Sequence, residues 1–138
     1  MKKTTVFDCA VLDFHKHTHE KGTVSNIENS GVIPFDIERV YYLYDVPGGE
    51  SRGGHAHIIL SQLIVAAGGS FDVLLDDSKV KRTVTLNRPY QGLLVVPGLW
   101  RELENFSTGA ICLVLASHKY EEEDYIRDYN KYLLYKKL

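Results

Sequence analysis

Two histidines one residue apart, His55 and His57, carry the strongest chemical signal in this chain of 138 residues. They close the run Gly49-Glu50-Ser51-Arg52-Gly53-Gly54-His55-Ala56-His57. In a strand, residues i and i+2 point to the same face. Both imidazoles would then project into one interior, where a side chain that titrates near neutral pH can take and return a proton. Arg52 stands just before them on a Gly-rich turn, and its planar donor fork suits a diphosphate. Arg39 and Tyr41 share a strand face by the same period, with Tyr42 on the other. Tyr41 could orient or protonate an oxygen, and Arg39 could hold a phosphate. Downstream, Trp100 and Arg101 lie in Pro97-Gly98-Leu99-Trp100-Arg101-Glu102-Leu103-Glu104-Asn105. Trp100 offers an aromatic surface for a base or for packing.

These residues need strands to hold them. The sequence supplies candidates at Arg39–Val46, Gln62–Ala67, Ser70–Leu75, Val80–Leu86, Gly92–Val96 and Ala110–Ser117, rich in Val, Ile, Leu, Tyr and Phe. Gly68-Gly69 and Asp76-Asp77-Ser78 are turn signals between them. Many short strands with frequent turns predict an all-β sandwich or barrel. The tail from about residue 119 to 137 reads as a helix. Tyr125, Ile126, Tyr129, Tyr132 and Leu133 fall at helical spacing, with Glu121 to Asp124 at its start and Lys131, Lys136 and Lys137 toward its end.

The length fits one domain, taken as residues 1–138 with a barrel to about 118. A net charge of -2 recruits neither nucleic acid nor an anionic membrane surface. No stretch approaches the ~20 apolar residues of a membrane span, and the N-terminus does not read as a signal peptide. Cys9 and Cys112 lack CxxC spacing and read as small buried thiols, so the expected setting is the cytoplasm. His15, His17 and His19 form an H-x-H-x-H run, read as an exposed strand leading into the Glu20-Lys21-Gly22 turn.

The two central segments resemble the paired motifs of the cupin superfamily, which implies a jelly-roll antiparallel barrel. The first motif falls on Gly49, His55 and His57, with Ser61 or Gln62 where Glu is expected, then Gly68 or Gly69. The second falls on Gly92, Pro97 and Gly98, with Arg101 where His is expected, then Asn105. The departures remove a metal-cupin ligand set. A guanidinium has no lone pair to give and repels a divalent ion, and two His alone are a poor site. No metal and no cofactor is expected.

The chain is more narrowly similar to the cupin-fold dTDP-4-oxo-6-deoxyglucose 3,4-ketoisomerases, from about Lys21 to the C-terminus. The likeness rests on residues 33–42, Arg52-Gly53-Gly54-His55-Ala56-His57, residues 100–107, Leu113-Val114-Leu115-Ala116-Ser117 and Asp124-Tyr125-Ile126-Arg127-Asp128-Tyr129. It implies an isomerase that moves a ketone from C4 to C3 of a dTDP-linked deoxysugar, without metal or cofactor. The product would feed an aminotransferase making a 3-amino-3,6-dideoxy sugar for a surface glycan. The resemblance also implies a homodimer with exchanged N-terminal strands.

The chemistry needs a base, an acid and help at oxygen. Removing the C3 proton gives an ene-diol, and returning one to C4 completes the shift. His55 and His57 are expected as the acid–base pair with Tyr41, and Arg39, Arg52, Arg101, Lys21 and Trp100 as substrate-binding residues. Family members commonly have Arg-Gly where this chain has Lys21-Gly22, and some have His where it has Arg101. Arginine cannot deliver a proton, so return from the histidine face predicts the gluco product. The competing readings are a galacto product, a deoxysugar 3,5-epimerase, and a non-catalytic cupin that binds a sugar nucleotide.

Overall fold

The computed structural model describes residues 3–137. After a 3-10 turn at Val6–Asp8, strands β1 (Ala10–Asp13), β2 (Lys16–His19), β3 (Gly22–Ser25) and β4 (Arg39–Leu43) precede the histidine segment, β5 (Arg52–His57). Next come β6 (Gln62–Gly68), β7 (Phe71–Asp76), β8 (Lys81–Leu86), β9 (Gln91–Val95), β10 (Trp100–Glu104) and β11 (Ile111–Ala116). The tail adds β12 (Tyr125–Ile126) and α1 (Tyr129–Lys137). One sheet has the order β1-β9-β6-β11-β4, a second β12-β5-β10-β7-β8, and β2-β3 form a separate hairpin. The fold is all-β with the jelly-roll arrangement that the sequence implies. Its two five-stranded sheets share no strand, so it is an antiparallel sandwich and not a closed barrel.

Alternation along the strands builds the core. Ile64 and Ala66 of β6, Cys112 and Val114 of β11, and Leu93 of β9 face Phe71, Val73, Leu75 and Leu103 of the opposite sheet. β6 is an unbroken apolar run because its outer face is covered too. There Leu63 and Val65 pack with Phe14, Ile33 and Leu115. Gly92 allows this cover: a Cβ there would come within 2.7 Å of the Phe14 ring and 2.9 Å of Leu63. The hydrophobic contacts on each face contribute at roughly 25 cal/mol per Å² of apolar surface removed from water.

Two sequence expectations change. The first strand candidate ends at Leu43, the last residue of β4 to pair with β11, and Asp45 then takes a left-handed turn (φ 58). The tail helix begins at Tyr129 and not near 119. Residues Glu122–Asp124 form a 3-10 turn, and Tyr125–Ile126 pair with His57 and Ala56. The acidic run looked like a helix start because that is where a helix dipole favours acids. Tertiary hydrogen bonds to Asp124 outweigh that local preference. α1 packs on the outer face of the second sheet, where Tyr132 is fully buried against Ala56 and Trp100. Its hydroxyl donates to the carbonyls of Asp76 (2.9 Å) and Gly98 (3.0 Å).

Candidate active site

β5 brings the histidines to the inner face. His55 pairs with Arg101 of β10 on one side, and His57 pairs with Tyr125 of β12. The β5–β10 register slips between Arg101 and Leu103, so two residue steps on β10 match three on β5. This bulge lies at Gly53-Gly54 and turns Arg52 to face Leu103. Cross-strand partners share a face, and Leu103 is a core residue. Arg52 therefore leaves the sheet on the histidine side, exposed at the rim. It is the first residue of β5 and does not lie on the turn the sequence suggested. Gly54 leaves room for the Trp100 ring here, since a Cβ would sit 3.2 Å from it.

The interior between the sheets gathers side chains from five strands. The His55 and His57 rings meet edge to face at 4.9 Å, and the Tyr125 ring lies 5.0 Å and 4.4 Å from them. Arg101, 3% exposed, donates from Nε to Gln62 Oε1 at 3.1 Å and from Nη2 to the Tyr41 hydroxyl at 3.1 Å. Gln62 Nε2 donates to the same hydroxyl at 3.0 Å. Arg39 donates to the Tyr125 hydroxyl at 3.3 Å, with its guanidinium 4.9 Å from the Tyr41 ring. Among the described residues, four buried side-chain polar atoms find no partner: Arg39 Nε, His55 Nε2, His57 Nε2 and Arg101 Nη1. Leaving a buried polar group unpaired costs about 1–3 kcal/mol each, and all four belong to the side chains of this one cluster, which marks it as a place for a polar ligand.

Asp124 decides the state of His57. Its carboxylate accepts backbone N–H groups of Ile58 (3.1 Å), Ile59 (2.7 Å) and Leu60 (3.3 Å). The same carboxylate takes the His57 Nδ1–H as a fourth donor at 3.0 Å. That bond fixes the proton on Nδ1 and leaves the Nε2 lone pair free for the interior. Burial pushes His57 down from 6.5 to about 4; the Asp124 hydrogen bond opposes the shift and Arg101 adds to it. Burial, then Arg101 and His57, push His55 down from 6.5 to about 2. Both imidazoles are neutral bases at pH 7.

Of the residues singled out from sequence, His55, His57, Tyr41, Arg39 and Arg101 come together, and Arg52 stands at the rim. Trp100 does not join them. It lies on the opposite face of its sheet, against Tyr129 and Tyr132 at ring distances of 5.2 Å and 5.8 Å. β10 alternates, so Arg101 and Trp100 cannot share a side. Lys21 is exposed in the turn of the β2–β3 hairpin, its N–H donating to His19 Nδ1. His15 and His17 are exposed, with nitrogens 3.2 Å apart. Sequence reasoning missed Asp124 and Tyr125 as site residues, and their Asp-Tyr pair in the tail was the available signal. The site's donors do not fit a metal. Gln62 and the Arg101 guanidinium stand where metal cupins place Glu and His, and the guanidinium offers no lone pair.

Comparison with known proteins places this geometry in context. The model of a family described as FdtA: WxcM-like, C-terminal matches residues 7–137. The chain is 43% identical over 125 residues to the TDP-4-oxo-6-deoxy-alpha-D-glucose-3,4-oxoisomerase of Aneurinibacillus thermoaerophilus, covering 91% of this chain and 90% of that one. The crystal structure of QdtA, a sugar 3,4-ketoisomerase from Thermoanaerobacterium thermosaccharolyticum in complex with TDP, superposes with a TM-score of 0.93 at 37% identity, over 96% of this chain and 97% of that one. The WlaRB TDP-quinovose 3,4-ketoisomerase from Campylobacter jejuni gives a TM-score of 0.88 at 40% identity, over 94% and 99% of the two chains.

Proposed function

The chain belongs to the FdtA (WxcM-like, C-terminal) family of sugar 3,4-ketoisomerases, and on that premise we propose that it converts dTDP-4-oxo-6-deoxy-D-glucose to dTDP-3-oxo-6-deoxy-D-glucose. The observation that carries this reading is that two buried imidazole nitrogens, His55 Nε2 and His57 Nε2, and guanidinium nitrogens of two arginines are left without partners in one side-chain cluster. A base and an oxygen-binding donor in one buried site are what proton abstraction next to a ketone requires.

The steps balance as an isomerisation. A neutral imidazole removes the C3 proton, and the electrons of the C3–H bond move into the carbon chain to give an ene-diolate over C3 and C4. Arg101 Nη1–H and the Tyr41 hydroxyl stabilise the oxygen at C4. A proton is then returned to C4, the imidazolium gives up the one it took, and a proton passes from the C3 oxygen to the C4 oxygen. The His55/His57 pair is the acid–base device, with Arg39 and Arg52 placed for the diphosphate. Arg101 cannot protonate carbon, because a guanidinium keeps its protons at any working pH. Return by the same imidazole to the same face of the ring would give an axial C4 hydroxyl, because the C3 and C4 hydrogens of D-glucose lie on opposite faces; the gluco product, with an equatorial hydroxyl, has C4 protonated from the opposite face. The likeness to a TDP-quinovose 3,4-ketoisomerase supports that product.

The reading is tested with dTDP-4-oxo-6-deoxyglucose in deuterated buffer. Exchange or transfer at C3 and C4, and a product with an equatorial C4 hydroxyl by NMR, are expected. Exchange at C3 and C5 would make the protein an epimerase, and an axial hydroxyl would sink the gluco assignment.

The working form we propose is a homodimer with exchanged N-terminal strands. Every residue of β2 and β3 is exposed, and a lone two-stranded hairpin is marginal in water. β4 ends its sheet with Val40 and Tyr42 outward at 52% and 60% exposure. Exchange would carry Lys21, in the hairpin turn, toward the partner's site. Sedimentation equilibrium should give twice the 15.7 kDa chain mass; the mass of a single chain would rule the exchange out. A cytoplasmic setting fits the two free, buried cysteines.

A further inference from the structure

Tyr41 lies in a hydrogen-bond triangle whose polarity is fixed by a partner that can only donate. Arg101 has N–H groups and no acceptor. Its Nε donates to Gln62 at 3.1 Å, so the amide oxygen of Gln62 has to face Arg101. The amide nitrogen then faces Tyr41 and donates to its hydroxyl oxygen at 3.0 Å. Arg101 Nη2 donates to the same oxygen at 3.1 Å. A phenolic oxygen has two lone pairs and one proton. Both lone pairs are filled, by groups that cannot accept in return. The Tyr41 proton must point out of the triangle, away from both donors, and Arg101 Nη1 is likewise buried and unpaired.

We infer that Gln62 is a positioning residue that sets the polarity of the Tyr41 hydroxyl, so that Tyr41 presents its proton to the sugar oxygen at C4. The inference rests on the ketoisomerase reading. In that reaction the C4 oxygen passes from ketone to enolate to alcohol, and a donor aimed at it is most effective where the charge develops. Gln62 does this without touching the sugar: it is 1% exposed, behind Tyr41 and Arg101. A glutamate at this place would accept from both neighbours and turn the phenol around. The glutamine that looked in the sequence like a lost metal ligand is thus the residue that keeps Tyr41 a donor.

Gln62→Glu is the decisive substitution, because it keeps the shape and gains a charge pair with Arg101. The expected result is a folded protein whose kcat falls about 10²-fold, with KM little changed. Tyr41→Phe should show a similar loss, and the double variant should be no slower than Tyr41→Phe alone, since both remove the same O–H. Wild-type kcat in Gln62→Glu overturns the inference. So do losses that multiply in the double variant, as they would if the new charge acted on the histidines. A neutron structure of the wild type reads the polarity whichever sugar is used. A deuteron on Tyr41 pointing into the interior is expected, and one lying toward Gln62 or Arg101 overturns the inference independently of the ketoisomerase reading.

Discussion

His55→Asn and His57→Asn should each lower kcat by about 10²–10⁴-fold, while calorimetric affinity for dTDP stays near the wild-type value. Asparagine keeps a polar side chain on the same strand face but has no basic nitrogen. The diphosphate would be held by Arg39 and Arg52, which neither change touches. Full turnover in either variant would remove that histidine from the mechanism. The same pair governs acid behaviour. His57 is held at about 4 in the fold and sits at 6.5 when exposed. Between those values the unfolded chain binds the proton and the folded one does not, so stability is lost as pH falls from 6.5 toward 4. His55, held at about 2, extends the loss to lower pH. Urea midpoints of the double variant His55→Asn/His57→Asn should depend less on pH across this window. The acid limb of kcat/KM should also stand well below 6.5, because the free enzyme's bases remain neutral there.

Asp124→Asn should cost as much activity as losing a histidine, about 10²–10⁴-fold in kcat, although Asp124 is not placed to touch the sugar. The amide oxygen can still serve the Ile58 and Ile59 N–H groups. Its NH2 would then point at Leu60 and at His57 Nδ1. A donor there moves the imidazole proton to Nε2 and removes the lone pair facing the sugar. The Leu60 N–H loses its acceptor at a cost of about 1–3 kcal/mol. A 15N spectrum of the imidazoles separates this from unfolding: the folded variant should carry His57 as the Nε2–H tautomer. A variant that keeps Nδ1–H and wild-type kcat would refute the role. Without the carboxylate that opposes the downward shift, the acid limb should not rise.

The site was legible where its residues lie close together in sequence or on a common period. His55 and His57 share a strand face at a spacing of two, and Arg39 and Tyr41 do the same. Strands from Gln62 to Leu86 announced themselves through apolar alternation bounded by Gly and Asp. The tail was misread because Glu121 to Asp124 look like a helix start. What fixes Asp124 is 64 to 67 residues away, at His57 and the three N–H groups after it. Trp100 was a plausible base platform until the pairing of Ala56 with Trp100 and His55 with Arg101 assigned their faces. The bulge that moves Arg52 to the inner face has only Gly53-Gly54 as a trace, and a glycine pair fits a turn equally well.

The Asp124–His57 bond also bears on biosynthesis. Translation runs from the N-terminus, so the sandwich strands through β11 leave the ribosome before the residue that orients the base. A nascent chain can assemble both sheets and still lack β12, Asp124 and the correct imidazole tautomer. The proposed acid–base step therefore requires Asp124 to have been made and to have docked beside β5. A chain cut short before Asp124 would keep most of its core yet lack the bond that orients His57, so synthesis through Asp124 is itself a condition for the proposed chemistry.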